Sequence, residues 1–445
     1  MKPQLMLLLQ GGDEAKKHDA SGAASGTLEA EIGKSSKDDE RRTTRSRREP
    51  RVPQNLPAEE EVIDPVEVTA EPEQWRQIGE EVTEQLDYQP AKFFRRRLIR
   101  RKYVRRDAPL LPPVIAPLNT LQERSIAAPG LLAQIIVGKY CDHLPLYRQE
   151  QIFARRHGVH IPRQSMARWM GLATDWLQLI YADIKKGVLA GSYVQIDETP
   201  IEYLSPGHDQ TRQGYLWACN KPGGDVFFEW ATSRAAACLD NIIPVDFTGK
   251  VQCDSYGAYP AFAGSRAGQI ELAGCWAHVR RKFYDAKEQA PQHAGFILLQ
   301  IKHLYRIERK LRGQQAGPRL RQAVRASQSR MIVERIGKVL TKLKERRRHL
   351  PKSNMGKAIN YALKQWPQLI KYLEDGRVEI DNNLVENSIR PTAIGKKNWL
   401  FIGEAEAGQR GAILYTVIES CRARGIDPFE YLRDIFTRLP QASNQ

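Results

Sequence analysis

At 445 residues the chain is too long for one ordinary core and is expected to fold as about two to four domains. Lys and Arg total 68 against 52 Asp and Glu, and the formal charge of +16 favours a polyanionic partner without naming it. Six cysteines make no CxxC pair and no stretch is apolar enough to span a bilayer, which argues against a disulfide scaffold or a membrane protein and for a soluble one in the reducing cytoplasm.

The first aromatic residue is Trp75, and the sequence before it shows little apolar periodicity. Residues 1–70 are therefore expected to lack fixed structure, since burial there cannot offset the entropy of ordering. Within them, DDERRTTRSRREPR at 38–51 is either a solvated charge run or a DNA contact. Over 71–108, EEVTEQLDY and FFRRRLIRRKYV are separated by Gln89-Pro90 and are rich in β-branched and aromatic residues, the pattern of a two-stranded ribbon. Its second strand carries Arg95, Arg96, Arg97, Arg100 and Arg101 with no acid among them. Like charges that dense repel without a polyanion, so phosphate contact is expected there. LLPPVIAP (110–117) reads as an extended linker.

Residues 109–190 are otherwise helical in pattern. A helix starts at Pro129 with an apolar stripe of Leu131, Leu132, Ile135, Ile136 and Tyr140, a second covers Leu146–His157 and stops at Gly158, and a third begins near Arg163. The outline fits a helix-turn-helix with Arg163, Gln164 and Arg168 facing outward, or an ordinary αα-hairpin, because Gly158 closes either.

The residues that carry chemistry follow. SYVQIDETPI (192–201) alternates into a strand with Asp197 near its end, LWACN and DVFFEWATS read as two further strands, RAAACLDNII as a helix, and GKVQCDSYGAY (249–259) as a strand ending in Asp254. Three strands, a helix and a fourth strand is the order of a ribonuclease-H-like α/β core, in which the first and fourth strands lie side by side and both aspartates can share a metal site. This core is expected in two parts, 191–284 and 376–405, around a helical insertion at 285–375 and before a C-terminal helical tail at 406–445. In VEIDNNLVENSIRP (378–391), Asn383 can cap a helix with Glu386 three positions later and Pro391 beyond. That placement alone suits a capping-box glutamate. The two strand-end aspartates and the basic neighbours Arg390, Lys396 and Lys397 make a metal ligand the preferred reading. Three crowded carboxylates would repel or protonate unless they hold hard cations, Mg²⁺ or Mn²⁺. Two such ions roughly 3.5–4 Å apart can activate the attacking oxygen and neutralise the leaving one at a phosphodiester.

Other residues have plainer readings. Cys275 and His278 share a C-x-x-H spacing, but two ligands do not close a tetrahedral zinc site, so Cys275 is read as packed and His278, with Arg281, as a neighbour of substrate phosphates. Glu198 is left out of the triad because adjacent strand residues point to opposite faces. Trp399 is either a base-stacking platform or a core tryptophan.

QIDETP, VQCDSYGAYPAF, GCWAHVRRKF, EIDNNLVENSIRPTAIGKKNWLF and ESCRARGIDPFEYLRDIFTRLP resemble the insertion-sequence-66 family of bacterial transposases. The resemblance runs from Ile78 to Pro440, and the NNLVENSIRP block is highly specific. It implies a DDE transposase of ribonuclease-H-like fold whose Asp197, Asp254 and Glu386 are the metal-binding triad. Its partners would be double-stranded DNA, as terminal inverted repeats and as target, a homo-oligomer on that DNA, and small accessory proteins of the same element. Placement with the nucleoid would follow. Many members carry a zinc ribbon in the N-terminal DNA-binding segment, but here no cysteine precedes the ribbon and Arg105 and Arg106 stand where the second pair is expected. No stoichiometric zinc is therefore expected in the protein, and the N-terminal coiled coil common in relatives is not evident. Two rival functions stay open: a structure-selective nuclease of the same fold, and a non-catalytic DNA-binding regulator derived from a transposase.

Overall fold

A computed structural model describes residues 52–89, 92–122 and 125–442, so the charged run at 38–51 lies outside the described residues. The ribbon forms as its composition predicts: β2 (Trp75–Gln89) pairs antiparallel with β3 (Lys92–Arg105) along almost their whole length. Two features correct the sequence reading. A strand β1 (Ala58–Ile63) pairs parallel with the other side of β3, and a one-turn helix, Val66–Ala70, follows it, so the unstructured stretch does not extend to residue 70. The disorder argument weighed burial alone, whereas β1 is mostly exposed and is held by ladder hydrogen bonds and charge: Glu60 and Glu61 pair with Arg97 and Arg96. In the supposed linker, β4 (Val114–Ile115) adds to β3 beside Lys102 and Tyr103.

Helices α1 (Pro129–Tyr140), α2 (Leu146–His157) and α3 (Arg163–Leu189) start and stop where the sequence places them. Gly158 ends α2 at φ 66°, a left-handed conformation that glycine adopts without a Cβ clash. The apolar stripes of α1 and α3 meet in the larger of two hydrophobic cores.

That core also backs the central mixed sheet. Strands β5 (Tyr193–Leu204), β6 (Arg212–Asn220) and β7 (Val226–Ala231) run antiparallel, and β8 (Gly249–Gln252) and β9 (Ile270–Ala273) extend the sheet parallel to β5, in the order β7-β6-β5-β8-β9. Helix α4 (Ala258–Ser265) connects β8 to β9; neither α4 nor β9 was separated from the surrounding pattern by sequence. Between β7 and β8 the expected helix shrinks to Leu239–Ile242 after a short 3₁₀ turn.

Beyond β9 the chain becomes helical: α5 (Trp276–Asp285), α6 (Pro291–Gly313), α7 (Arg330–Glu345) and α8 (Asn354–Lys364) bury a second apolar core around Trp276, Ile297, Ile301, Ile336 and Leu340. The chain returns through residues 372–382 to α9 (Asn383–Trp399), and β10 (Phe401–Glu404) pairs parallel with the far end of β5. Pairing of β5 with β8 stops at Gln195 and with β10 starts at Glu202, and the helix α9 packs against β5.

Helix α10 (Ala405–Ala423) is buried over most of its length, and α11 (Pro428–Ala442) packs against α1. The outer edge of β7 is sealed by side chains: Phe228 N–H donates to Thr416 Oγ1 at 2.8 Å, and Ser420 Oγ donates to the Val226 carbonyl at 3.1 Å. Such cover satisfies an edge that would otherwise template foreign strands. The segment read as a tail is thus part of the core. Among the described residues no helix is long and apolar enough to cross a membrane.

Candidate active site

The β5–β8 register explains how two distant aspartates meet. Gln195 lies opposite Gln252, so Asp197, two residues further along β5, and Asp254, two residues past the end of β8, come to the same level of the sheet. Asp197 Oδ1 accepts the Glu198 N–H at 3.0 Å, and Asp254 Oδ1 accepts the Tyr256 N–H at 2.8 Å, which fixes one oxygen of each.

Glu386 is delivered by a buried amide network that the sequence reading missed. Gln195 and Gln252 are both fully buried. Gln195 Nε2 donates to Gln252 Oε1 at 2.8 Å and to the Asp381 carbonyl at 2.9 Å, while its Oε1 accepts the Val385 N–H at 3.4 Å. Gln252 Nε2 donates to the carbonyls of Glu379 at 2.8 Å and Gly274 at 2.9 Å, and Tyr193 OH donates to Gln252 Oε1 at 2.6 Å. Two strand glutamines thereby clamp the irregular segment that enters α9, and Glu386 sits in the first turn of that helix. The capping assignment is corrected by one residue: Asn382 is the N-cap and makes no side-chain cap bond, so Glu386 is not the acid of a capping box. Instead Asp381 Oδ1 accepts the Asn383 N–H at 3.2 Å. Pro391 lies inside α9 rather than ending it.

Burial, followed by the charges of Glu198 and Glu386 and then Asp254, pushes the Asp197 carboxyl up to about 8. Glu198 is committed elsewhere: Arg234 Nε donates to its Oε1 at 2.6 Å and Tyr259 OH to its Oε2 at 2.7 Å, and burial still holds it above the ordinary carboxylate range. Glu386 Oε1 is buried without a hydrogen-bond partner, and so are both amide atoms of the wholly buried Asn382. Clustered oxygen donors, one forced towards protonation and one left unpaired, fit a hard divalent cation bound by Asp197, Asp254 and Glu386.

This electrostatic frustration has a measurable consequence. The folded pKa of Asp197 lies above its unfolded value of 3.8, so the folded chain holds that proton more tightly, and the stabilisation present below 3.8 is lost as pH rises through about 8. Without metal, the melting temperature is expected to fall across that window by calorimetry. Asp197→Asn should flatten the fall and melt about 2–4 °C higher than the parent at the upper end. Mg²⁺ should raise the parent's melting temperature more than the variant's, and an identical pH profile for the two proteins would contradict the assignment.

The other expected site residues divide. Arg281, Arg390 and Lys397 are exposed and, among the described residues, have no ion-pair partner; Arg163, Gln164 and Arg168 are likewise exposed on the first turns of α3. Lys396 is partly buried and donates to Thr199 Oγ1 at 3.1 Å and to the Pro200 carbonyl at 3.0 Å, tying α9 to β5 two residues past Asp197. His278 lies 3.8 Å from Glu386 Oε1 through its Nδ1. Trp399 packs against the main core. The premise for the ribbon arginines needs correction. Arg95 pairs with Glu84 at 3.5 Å, Arg96 with Glu61 at 2.8 Å, Arg97 with Glu60, Arg100 with Glu81 at 2.7 Å and Arg101 with Asp64 at 3.9 Å. Acids on β2, on β1 and just beyond β1 balance the charge that seemed to demand a polyanion.

The model of the family described as "Transposase IS66 family" matches residues 124–410, from before α1 into α10, and that of the "IS66 C-terminal element" matches residues 416–445. The chain belongs to the IS66 family of transposases. Three similar proteins of Sinorhizobium fredii are described only as uncharacterized. The IS66-family chain is 36% identical to y4qI over 439 residues, which cover 93% of this chain and 78% of the relative. Its identity to y4jD is 33%, covering 82% of this chain and 73% of the relative, and to y4hP 30%, covering 81% and 68%. In this IS66 transposase the family match encloses all three acids, the glutamine clamp and Cys275–His278.

Proposed function

We propose that this chain is a DDE-type transposase that cleaves DNA at the terminal inverted repeats of its element and joins the freed ends to target DNA. The observation that carries the reading is the convergence of Asp197, Asp254 and Glu386, with two aspartates matched across parallel strands and the glutamate clamped beside them. The sheet order β7-β6-β5-β8-β9, antiparallel then parallel, supports reading this region as a ribonuclease-H-like core, with the helices between the second and third acids as its insertion. Mg²⁺ or Mn²⁺, as a pair of ions, would supply activation of the attacking oxygen and neutralisation of the leaving one. The chain's own part would be to bring Glu386 and Asp254 near enough to Asp197 for their charges to act on it, to keep Glu198 out of the way through Arg234 and Tyr259, and to present cations to the phosphates. No covalent protein nucleophile is needed, because water and then the 3′-hydroxyl can attack in the same site. Work on the nucleoid as an oligomer, with accessory proteins of the element, accompanies this reading.

Incubation of purified protein with Mg²⁺, labelled element ends and a target duplex tests it. Both cleaved and joined products are expected. Cleavage without joining would favour the nuclease, and binding without cleavage would favour the regulator.

DNA contact is assigned first to the unpaired cations Arg281, Arg390 and Lys397, then to Arg163, Gln164 and Arg168 on α3. Removing Arg281, Arg390 and Lys397 together should lower the slope of log affinity against log salt by about 0.9 for each phosphate that is no longer neutralised. The ribbon arginines remain candidates, but replacement of Arg95, Arg96, Arg97, Arg100 and Arg101 must first break internal ion pairs and should lower the melting temperature as well. An unchanged salt slope in the Arg281, Arg390 and Lys397 variant would remove those residues from the DNA interface.

A further inference from the structure

The catalytic reading uses Glu386 but leaves Cys275 and His278 without a task. Cys275 is the N-cap of α5 and is buried, and its side chain makes no cap hydrogen bond. His278 stands one turn further along α5. The donor atoms of Cys275, His278 and Glu386 all lie within 4.8 Å of one another. His278 Nδ1 and Glu386 Oε1 face each other at 3.8 Å, too far for a hydrogen bond, and both atoms are buried with no partner. Leaving two buried polar atoms unpaired is costly, and an ion bonded to both would remove that cost.

The three donors differ in kind from the all-oxygen triad. A sulfur, an imidazole nitrogen and one carboxylate oxygen are the donors of Zn²⁺ and Co²⁺, and three protein ligands with a fourth position for water complete a tetrahedron. We propose that Cys275, His278 and Glu386 form a second metal site, specific for a soft divalent ion of the Zn²⁺ type, that shares Glu386 with the carboxylate triad. Binding releases the thiol proton to solvent and leaves the sulfur as thiolate. An ion seated there draws Glu386 away from Asp197 and Asp254 and makes Zn²⁺ an inhibitor of the Mg²⁺ reaction. This consequence rests on the proposed catalytic role of Glu386, whereas the site itself does not.

Metal-free full-length protein is titrated with Co²⁺. The expected spectrum has a near-ultraviolet sulfur-to-cobalt charge-transfer band and intense visible bands of a tetrahedral ion, both bleached by stoichiometric Zn²⁺. Cys275→Ser should lose the sulfur band, and His278→Gln should lose the tetrahedral intensity. If Cys275→Ser fails to fold, His278→Gln carries the comparison. Absence of the sulfur band in the parent, or its survival in folded Cys275→Ser, overturns the site. In cleavage assays, Zn²⁺ should slow the parent by at least about tenfold relative to its own zinc-free rate and slow Cys275→Ser less relative to its own. Equal fractional inhibition overturns the sharing of Glu386. A parent with the cobalt band but no cleavage in Mg²⁺ alone would refute the transposase reading and leave the metal site standing.

Discussion

Asp197→Asn, Asp254→Asn and Glu386→Gln are each expected to reduce end cleavage and strand transfer by at least about 10³-fold while leaving affinity for end DNA close to the parent's. Each amide keeps the shape of its acid and removes the negative charge that holds a hard cation. The network that orders the site does not depend on these charges: Gln195, Gln252 and Tyr193 bind backbone groups of Glu379, Asp381 and Val385. The fold should therefore survive. Double substitutions should cost little more than single ones, because a site dismantled by one loss has nothing further to lose. Mn²⁺ should replace Mg²⁺, and Ca²⁺ should support DNA binding with little turnover, since its looser geometry positions the attacking oxygen poorly. Single-turnover cleavage of a labelled end, beside a binding assay on the same preparations, provides the comparison. Near-parental cleavage by Glu386→Gln would remove it from the site.

Arg325→Met is expected to destabilise the chain by about 3–5 kcal/mol, the usual cost of stripping one partner from a buried ion pair. Arg325 is fully buried in a π-helical turn, Arg325–Ser329, that follows the helix Pro318–Val324. Its Nε and Nη2 donate to the two oxygens of the equally buried Glu308 at 2.7 and 2.8 Å. Its Nη1 donates to the carbonyls of Tyr372 at 2.8 Å, Val378 at 2.8 Å and Asp375 at 3.1 Å. Met fills much of the volume but leaves the buried Glu308 carboxylate with only Arg321, 3.3 Å from its Oε2, and takes the Arg325 donor from three carbonyls. Those carbonyls belong to the segment that leads to Glu379 and then to Glu386, so the variant should also lose activity at temperatures where it stays folded. Urea melts followed by circular dichroism give the first quantity and cleavage rates the second. Arg325→Met with Glu308→Leu should recover much of the lost stability, because no orphaned charge remains. A loss below about 1 kcal/mol for the single variant would mean that the pair does not anchor the segment.

The parts of the molecule governed by local pattern were legible. Pro129 marked the start of α1 and Gly158 the end of α2, and alternation found β5 and β8, although β5 runs on past Asp197 to Leu204 and β8 stops two residues before Asp254. The misplaced parts depend on partners far along the chain. AEEEVI is a poor strand by composition and becomes one because β3 supplies the opposite charge. The same pairing explains why a run of arginines overstated the need for DNA. Gln195 and Gln252 gave only a weak signal, a polar residue in an apolar strand two positions before each acid. Their partners at the entry to α9 lie 127 or more positions away, and no periodicity records that. The run GAILYTVIESC is apolar enough on all sides to mark α10 as a core helix, and its position near the end of the chain obscured this. For Cys275 and His278 the missing third donor was Glu386, on a helix with which they share no sequence motif.

Joint binding of divalent metal by Asp197, Asp254 and Glu386 underlies every catalytic step proposed for this chain. Mn²⁺ binding to the metal-free protein, followed by disappearance of the free-ion paramagnetic resonance signal in the presence of uncleavable end DNA, probes it without relying on turnover. Saturable Mn²⁺ binding is expected in the parent, displaced by Mg²⁺, with Asp197→Asn, Asp254→Asn and Glu386→Gln each weakening it by at least about tenfold. Mn²⁺ affinity equal to the parent's in either folded aspartate variant would refute the shared site.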